Sequence, residues 1–167
     1  MTHASLPADI DFIAQELSRR NWQMGTAESC TGGGIAAALT DKPGSSQWFA
    51  GALVVYTIPW KEKFLGVPKE VIQTYSVYSQ ETVAAMLDGL QTRYALPVGL
   101  AVSGIAGPGG AEPGKPVGTV FLGAFAGPHR AFLRELYHGD RLAVRQQTVA
   151  AAIHLLAQLL QNFPTLS

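Results

Sequence analysis

The chain has 167 residues, with 12 basic and 12 acidic side chains and a formal net charge of zero. Its charged fraction is 14%, where soluble domains carry roughly 25%. That balance excludes broad binding to a phosphate backbone, which needs a basic face. The 47% hydrophobic content supplies one core for a chain of this length. A single cysteine, Cys30, excludes an internal disulfide and a multi-cysteine zinc site, and it fits a reducing, cytoplasmic compartment.

Residues 1–7 lack the basic cluster and apolar run of a secretory signal. Residues 8–21 place Ile10, Phe12, Ile13 and Leu17 at near-helical spacing, with Arg19 and Arg20 in the last turn, where a helix dipole favours cations. Trp22–Ala27 reads as a strand, Glu28–Gly34 as a glycine-rich turn, and Ile35–Thr40 as a short helix of small residues. After the turn Lys42–Ser46, the nearly continuous apolar run Phe49–Tyr56 predicts a strand covered on both faces. Two short helical pieces follow at Lys61–Leu65 and Pro68–Tyr75.

Ser79 has the chemistry of an N-cap for a helix running to Tyr94 through Val83, Met86, Leu87 and Leu90. Val98–Ser103 is a strand, Gly104–Gly118 a long glycine and proline loop, and Val120–Ala126 with Ala131–Tyr137 a hairpin. Asp140 is placed to cap a last helix whose Val149, Ala152, Ile153, Leu156, Leu159 and Leu160 form one stripe. No run approaches the ~20 apolar residues of a membrane helix. Helices alternating with strands and then a hairpin predict a three-layer α/β/α sandwich with a mixed sheet, as one domain.

Most local motifs fail on spacing. Gly109 and Gly114-Lys115 resemble the start of a phosphate loop, but Pro116 stands where a hydroxyl must hold magnesium. No G-x-G-x-x-G, G-x-S-x-G or S-x-x-K pattern occurs. His3, His129, His138 and His154 form no metal-ligating pair, so neither a metal nor a cofactor is expected. Cys30 has two readings, a nucleophile if a base lies nearby and a small buried apolar residue otherwise.

Three stretches then become specific: Thr26-Ala27-Glu28-Ser29-Cys30-Thr31-Gly32-Gly33, Pro43-Gly44-Ser45-Ser46, and Ser103-Gly104-Ile105-Ala106-Gly107-Pro108-Gly109-Gly110 with Lys115-Pro116-Val117-Gly118-Thr119. In that order, and with Leu65-Gly66-Val67-Pro68, Val77-Tyr78-Ser79 and Gly139-Asp140-Arg141 continuing it, the chain resembles the CinA C-terminal domain family over about residues 8–160. The resemblance implies a nicotinamide-nucleotide amidase, which hydrolyses nicotinamide mononucleotide to nicotinate mononucleotide and ammonia. It also implies a small-molecule nucleotide as the ligand and self-association of the chain.

The family's serine, tyrosine and lysine match Ser46, Tyr56 and Lys61 here. Such a set suits amide hydrolysis: Ser46 as nucleophile, Lys61 as a base made available by desolvation, and Tyr56 as a proton relay. Ser29, Thr31, Gly32 and Gly33, at a helix N-terminus, are expected to hold the substrate, their amides suiting a phosphate. Gly104, Ile105, Ala106, Gly107, Gly109 and Gly110 form the second ligand loop or an oxyanion hole. Arg141 and Arg145, four apart, share a helix face toward an anion, and Arg145 is the better candidate on the resemblance. The segment Ile58-Pro59-Trp60 departs from the family pattern before Lys61, which leaves a second reading: a catalytically inactive or re-specialised nucleotide-binding or interaction module.

Overall fold

The computed structural model describes residues 5–163. His3 lies outside them, as do the other residues of 1–4. Helix α1 spans Leu6–Arg20; a proline sits in its first turn, Arg19 and Arg20 in its last, and Asn21 closes it in the left-handed conformation. Strand β1 (Met24–Glu28) leads through a tight turn into α2 (Gly34–Thr40), and a 3-10 turn at Ser45–Gln47 precedes β2 (Phe49–Val54). A one-turn helix α3 (Ile58–Trp60) runs into a π-helical turn at Lys61–Leu65, followed by α4 (Lys69–Tyr75) and α5 (Gln80–Arg93). Strands β3 (Val98–Gly104), β4 (Thr119–Ala126) and β5 (His129–Leu136) and the long helix α6 (Arg141–Asn162) complete the order.

The five strands form one mixed sheet in the order β2-β1-β3-β4-β5. β1 pairs parallel with both β2 and β3, while β3–β4 and β4–β5 are antiparallel. Helices cover both faces. Ile13 and Leu17 of α1, Leu39 of α2 and Ile153 and Leu156 of α6 pack with Leu100 and Leu122 on one side. Val83, Met86 and Leu87 of α5 pack with Ala101, Phe125 and Leu65 on the other. The predicted caps are formed: the Thr82 amide donates to Ser79 Oγ at 3.1 Å, and the Ala143 amide to Asp140 Oδ1 at 2.8 Å.

One strand departs from its sequence reading. β2 is an edge strand with alternating exposure, not a strand covered on both faces. Two of its outward positions are alanines, Ala50 and Ala52, so the apolar run does not mark burial. The strand also stops at Val54, because the Val55 amide turns to Glu28 O at 2.8 Å and the Val55 carbonyl turns inward.

β1 leads to one neighbour, β2, and β3 lies on its other side, so a crevice opens at the carboxyl ends of β1 and β3. In open α/β sheets this switch point is where ligands bind. Gly89 of α5 faces the π turn there. A Cβ at this position would collide with the Leu65 carbonyl, so a glycine lets the π turn lie directly on the helix.

Candidate active site

A pocket of about 310 Å³ opens in that crevice, lined by Ser29 and Cys30 after β1, Tyr56, Ile58 and Lys61 after β2, and the Gly104–Gly109 loop after β3. Val77, Tyr78 and Arg141 complete its wall. Val77 and Tyr78 are held by a strained residue. Ser76 sits at φ 77°, rare for a residue with a side chain, while its hydroxyl donates to Glu112 at 2.6 Å and accepts from the Tyr78 amide at 3.1 Å.

Lys61 is 1% exposed. Pro59 occupies the first turn of α3, where its missing N–H costs nothing, and the Lys61 amide donates to Thr57 O at 3.1 Å. The π turn then swings the side chain inward. Arg93 donates to the Lys63 carbonyl at 3.1 Å and the Tyr94 hydroxyl to the Phe64 carbonyl at 3.0 Å, so the end of α5 clamps the turn. The Lys61 Nζ donates to Val55 O at 2.8 Å and to Ser29 Oγ at 3.0 Å. Burial pushes its pKa down to about 8, with the nearby Cys30 opposing. An ammonium with three N–H groups and two protein acceptors is incompletely solvated, which favours the free amine.

Ser46 does not join this centre. It is exposed in the 3-10 turn before β2, whereas Tyr56 and Lys61 follow that strand. Six residues of β2 at about 3.3 Å each separate the two ends by roughly 17 Å. The serine against Lys61 is Ser29, which the sequence reading assigned only to substrate binding. The signal for it was positional: Ser29 directly follows a buried parallel strand and opens a glycine-rich turn into a helix, where the switch-point rule places reactive groups.

The turn after Ser29 also differs from expectation. Thr31, Gly32 and Gly33 do not offer an open anion site, because Glu28 has already filled it. The buried Glu28 carboxylate accepts from the amides of Gly33, Ile35 and Ala36 at 3.1, 3.0 and 2.9 Å, and from the hydroxyls of Thr26 and Thr31 at 3.1 and 2.6 Å. The chain supplies its own anion to the α2 N-terminus. Gly32 donates its amide to Ser29 O at 3.0 Å.

In the second loop, Gly104, Ala106, Gly107 and Gly109 line the pocket, while Ile105 pairs its amide with Thr119 O at 2.9 Å and Gly110 lies outside the lining. Among the described residues, the backbone amides of Cys30, Ala106 and Gly107 donate to no other residue. Arg145 does not line the pocket; it braces the Ser29 turn through Thr31 O at 2.9 Å. Arg141 takes the place predicted for Arg145. It donates to Gly107 O at 2.8 Å and to the Tyr56 hydroxyl. Cys30 is 4% exposed and its thiol is pushed up to about 11 by burial, so it is a packing residue rather than a thiolate. Trp60 packs against Phe64, with ring centroids 4.7 Å apart and the rings tilted by 52°, and does not line the pocket.

Among the described residues no helix is long and apolar enough to cross a membrane. Residues 9–160 match the family model of the CinA C-terminal domain. A nicotinamide-nucleotide amidohydrolase, PncC, of Pseudomonas putida is 49% identical over 148 residues, which cover 88% of this chain and 92% of that protein. A CinA-like protein of Mycobacterium avium is 41% identical over 91% of this chain, which spans only 36% of that longer protein. Among solved structures, the competence damage-inducible protein A of Klebsiella pneumoniae superposes with a TM-score of 0.90 at 30% identity, covering 96% of this chain and 99% of that one. CihA of Agrobacterium tumefaciens gives 0.88 at 34% identity, covering 95% and 98%.

Proposed function

The chain belongs to the CinA C-terminal domain family, and from that membership and the Ser29–Lys61 contact we propose that it is a nicotinamide-nucleotide amidase acting through a serine and a lysine. The observation that carries this reading is the buried amine of Lys61 held 3.0 Å from Ser29 Oγ in the switch-point pocket. Hydrolysis of nicotinamide mononucleotide then needs no further group as base. The free amine of Lys61 takes the proton of Ser29, and Oγ attacks the carboxamide carbon. The amides of Ala106 and Gly107, which donate to no other residue, are the groups this reading assigns to the oxyanion. The C–N bond breaks as the Lys61 ammonium returns its proton to the departing ammonia, leaving an ester on Ser29. Water attacks that ester, giving its proton to Lys61, and nicotinate mononucleotide leaves with Ser29 restored.

Tyr56 lines the same pocket as Ser29 and Lys61, which puts it in reach of the substrate as an orienting group. The Ile58-Pro59-Trp60 segment favours no inactive module: Pro59 starts the turn that delivers Lys61, and Trp60 leaves the pocket clear. A cytoplasmic setting and self-association belong to this reading too, supported by the single free thiol and by the exposed row Val54, Tyr56, Ile58 and Trp60. The test is ammonia release from nicotinamide mononucleotide by the pure protein. Ser29→Ala should remove activity by about three orders of magnitude or more, while Ser46→Ala keeps it within about twofold. Equal activity of Ser29→Ala and wild type would end this mechanism.

A further inference from the structure

We propose that Arg141 is the anion clamp of the pocket and that an anionic substrate competes with Tyr56 for its guanidinium, so that binding of the phosphate frees the Tyr56 hydroxyl. The inference rests on the amidase reading and deepens it. It starts from a process of elimination on the page. The α2 N-terminus, the first place to seek a phosphate site, is closed by the Glu28 carboxylate. Arg145 does not line the pocket, and its guanidinium donates to the Thr31 carbonyl at 2.9 Å. Lys61 lies buried at the reaction centre with its donors turned to Ser29 and Val55.

Arg141 is left as the guanidinium in the pocket wall, at the start of α6, solvent-exposed on its outer side. Among the described residues its hydrogen bonds go to two uncharged oxygens, Gly107 O and the Tyr56 hydroxyl, and none goes to a carboxylate. A guanidinium remains charged at any working pH and prefers a bidentate oxyanion to a phenol or a carbonyl. A phosphate entering beside it therefore displaces the weaker partners. Tyr56 is half exposed and lines the same pocket as Ser29, so release of its hydroxyl turns a ligand-binding event into a rearrangement within that pocket. On this account the enzyme selects a nucleotide over the corresponding nucleoside through one residue.

The experiment measures kcat/KM for nicotinamide mononucleotide and for nicotinamide riboside, with wild type, Arg141→Lys and Arg141→Met, and the binding of ribose 5-phosphate to each by calorimetry. In Arg141→Met the preference for nucleotide over nucleoside falls about a hundredfold, and ribose 5-phosphate binds at least about tenfold more weakly. Arg141→Lys recovers part of both, since it keeps the charge and loses the fork. Tyr56→Phe binds ribose 5-phosphate more tightly than wild type, by a few-fold, because the competing hydroxyl is gone; a merely structural contact would not produce that sign. A preference unchanged within about threefold in a folded Arg141→Met protein overturns the clamp, and unchanged or weaker binding in Tyr56→Phe overturns the competition. If wild type releases no ammonia from either substrate, the amidase reading fails, and the ribose 5-phosphate measurements still decide the clamp.

Discussion

Glu28 and Lys61 flank Ser29, both are buried, and the protein solvates them to different degrees. Glu28 is 0% exposed and receives five hydrogen bonds, three of them from a helix N-terminus. Lys61 is 1% exposed and has two acceptors, one of which is the hydroxyl it would deprotonate. The fully satisfied charge holds a turn in shape; the under-satisfied one is driven toward its neutral form and becomes a base. Burial alone separates structure from chemistry less well than the count of partners does.

Lys61→Met tests that contrast most severely. Activity falls by about three orders of magnitude or more, yet the protein melts no lower than wild type at pH 7. The sign follows from the lowered pKa. The unfolded chain binds the Lys61 proton more tightly than the folded one, so stability rises with pH between about 8 and 10.5, and the cost of burying the lysine is present in full below that window. Methionine removes that cost. A clear drop in Tm for Lys61→Met, read by calorimetry, would break the comparison.

Glu28→Gln runs the other way. An amide group cannot accept from all five donors and brings its own N–H groups toward backbone amides, so we expect a loss of about 2–4 kcal/mol in urea unfolding. The activity that remains should track the folded fraction only if the Ser29 turn survives; a larger loss shows that Glu28 also positions the nucleophile.

The pH profile sharpens the same point at smaller amplitude. With the Lys61 amine as base, kcat/KM rises about tenfold per pH unit up to an inflection near 8 and levels above it. An ordinary lysine, near 10.5, would keep the rate climbing through pH 10. Trp60→Ala gives the smallest effect. Its ring packs on Phe64 and does not line the pocket, so KM should stay within about twofold.

The periodicities carried most of the fold. The stripes of α5 and α6, the caps Ser79 and Asp140 and the hairpin β4–β5 all stand where spacing and chemistry put them, because each depends on residues within a few positions of one another. β2 misled because an edge strand rich in alanine has the same composition as a covered one. The site was legible in part. Tyr56 and Lys61, which the family resemblance assigned to the site, line one pocket, and so do four of the six residues assigned in the Gly104–Gly110 loop.

The proposed nucleophile and the proposed anion site were not legible. Two serines, Ser29 and Ser46, both lie in glycine-bearing turns, and nothing local tells which end of the sheet each occupies. Two arginines one helical turn apart, Arg141 and Arg145, differ only in whether α6 turns them to Gly107 or to Thr31. The sequence alone determined which residue types could do the chemistry, since caps, turns and amphipathic faces are short-range matters of hydrogen bonding and hydrophobic period. Which of them meet was decided by the parallel pairing of β1 with β2 and β3 and by the π turn on Gly89, which bring Ser29 and Lys61, 32 positions apart, within a hydrogen bond.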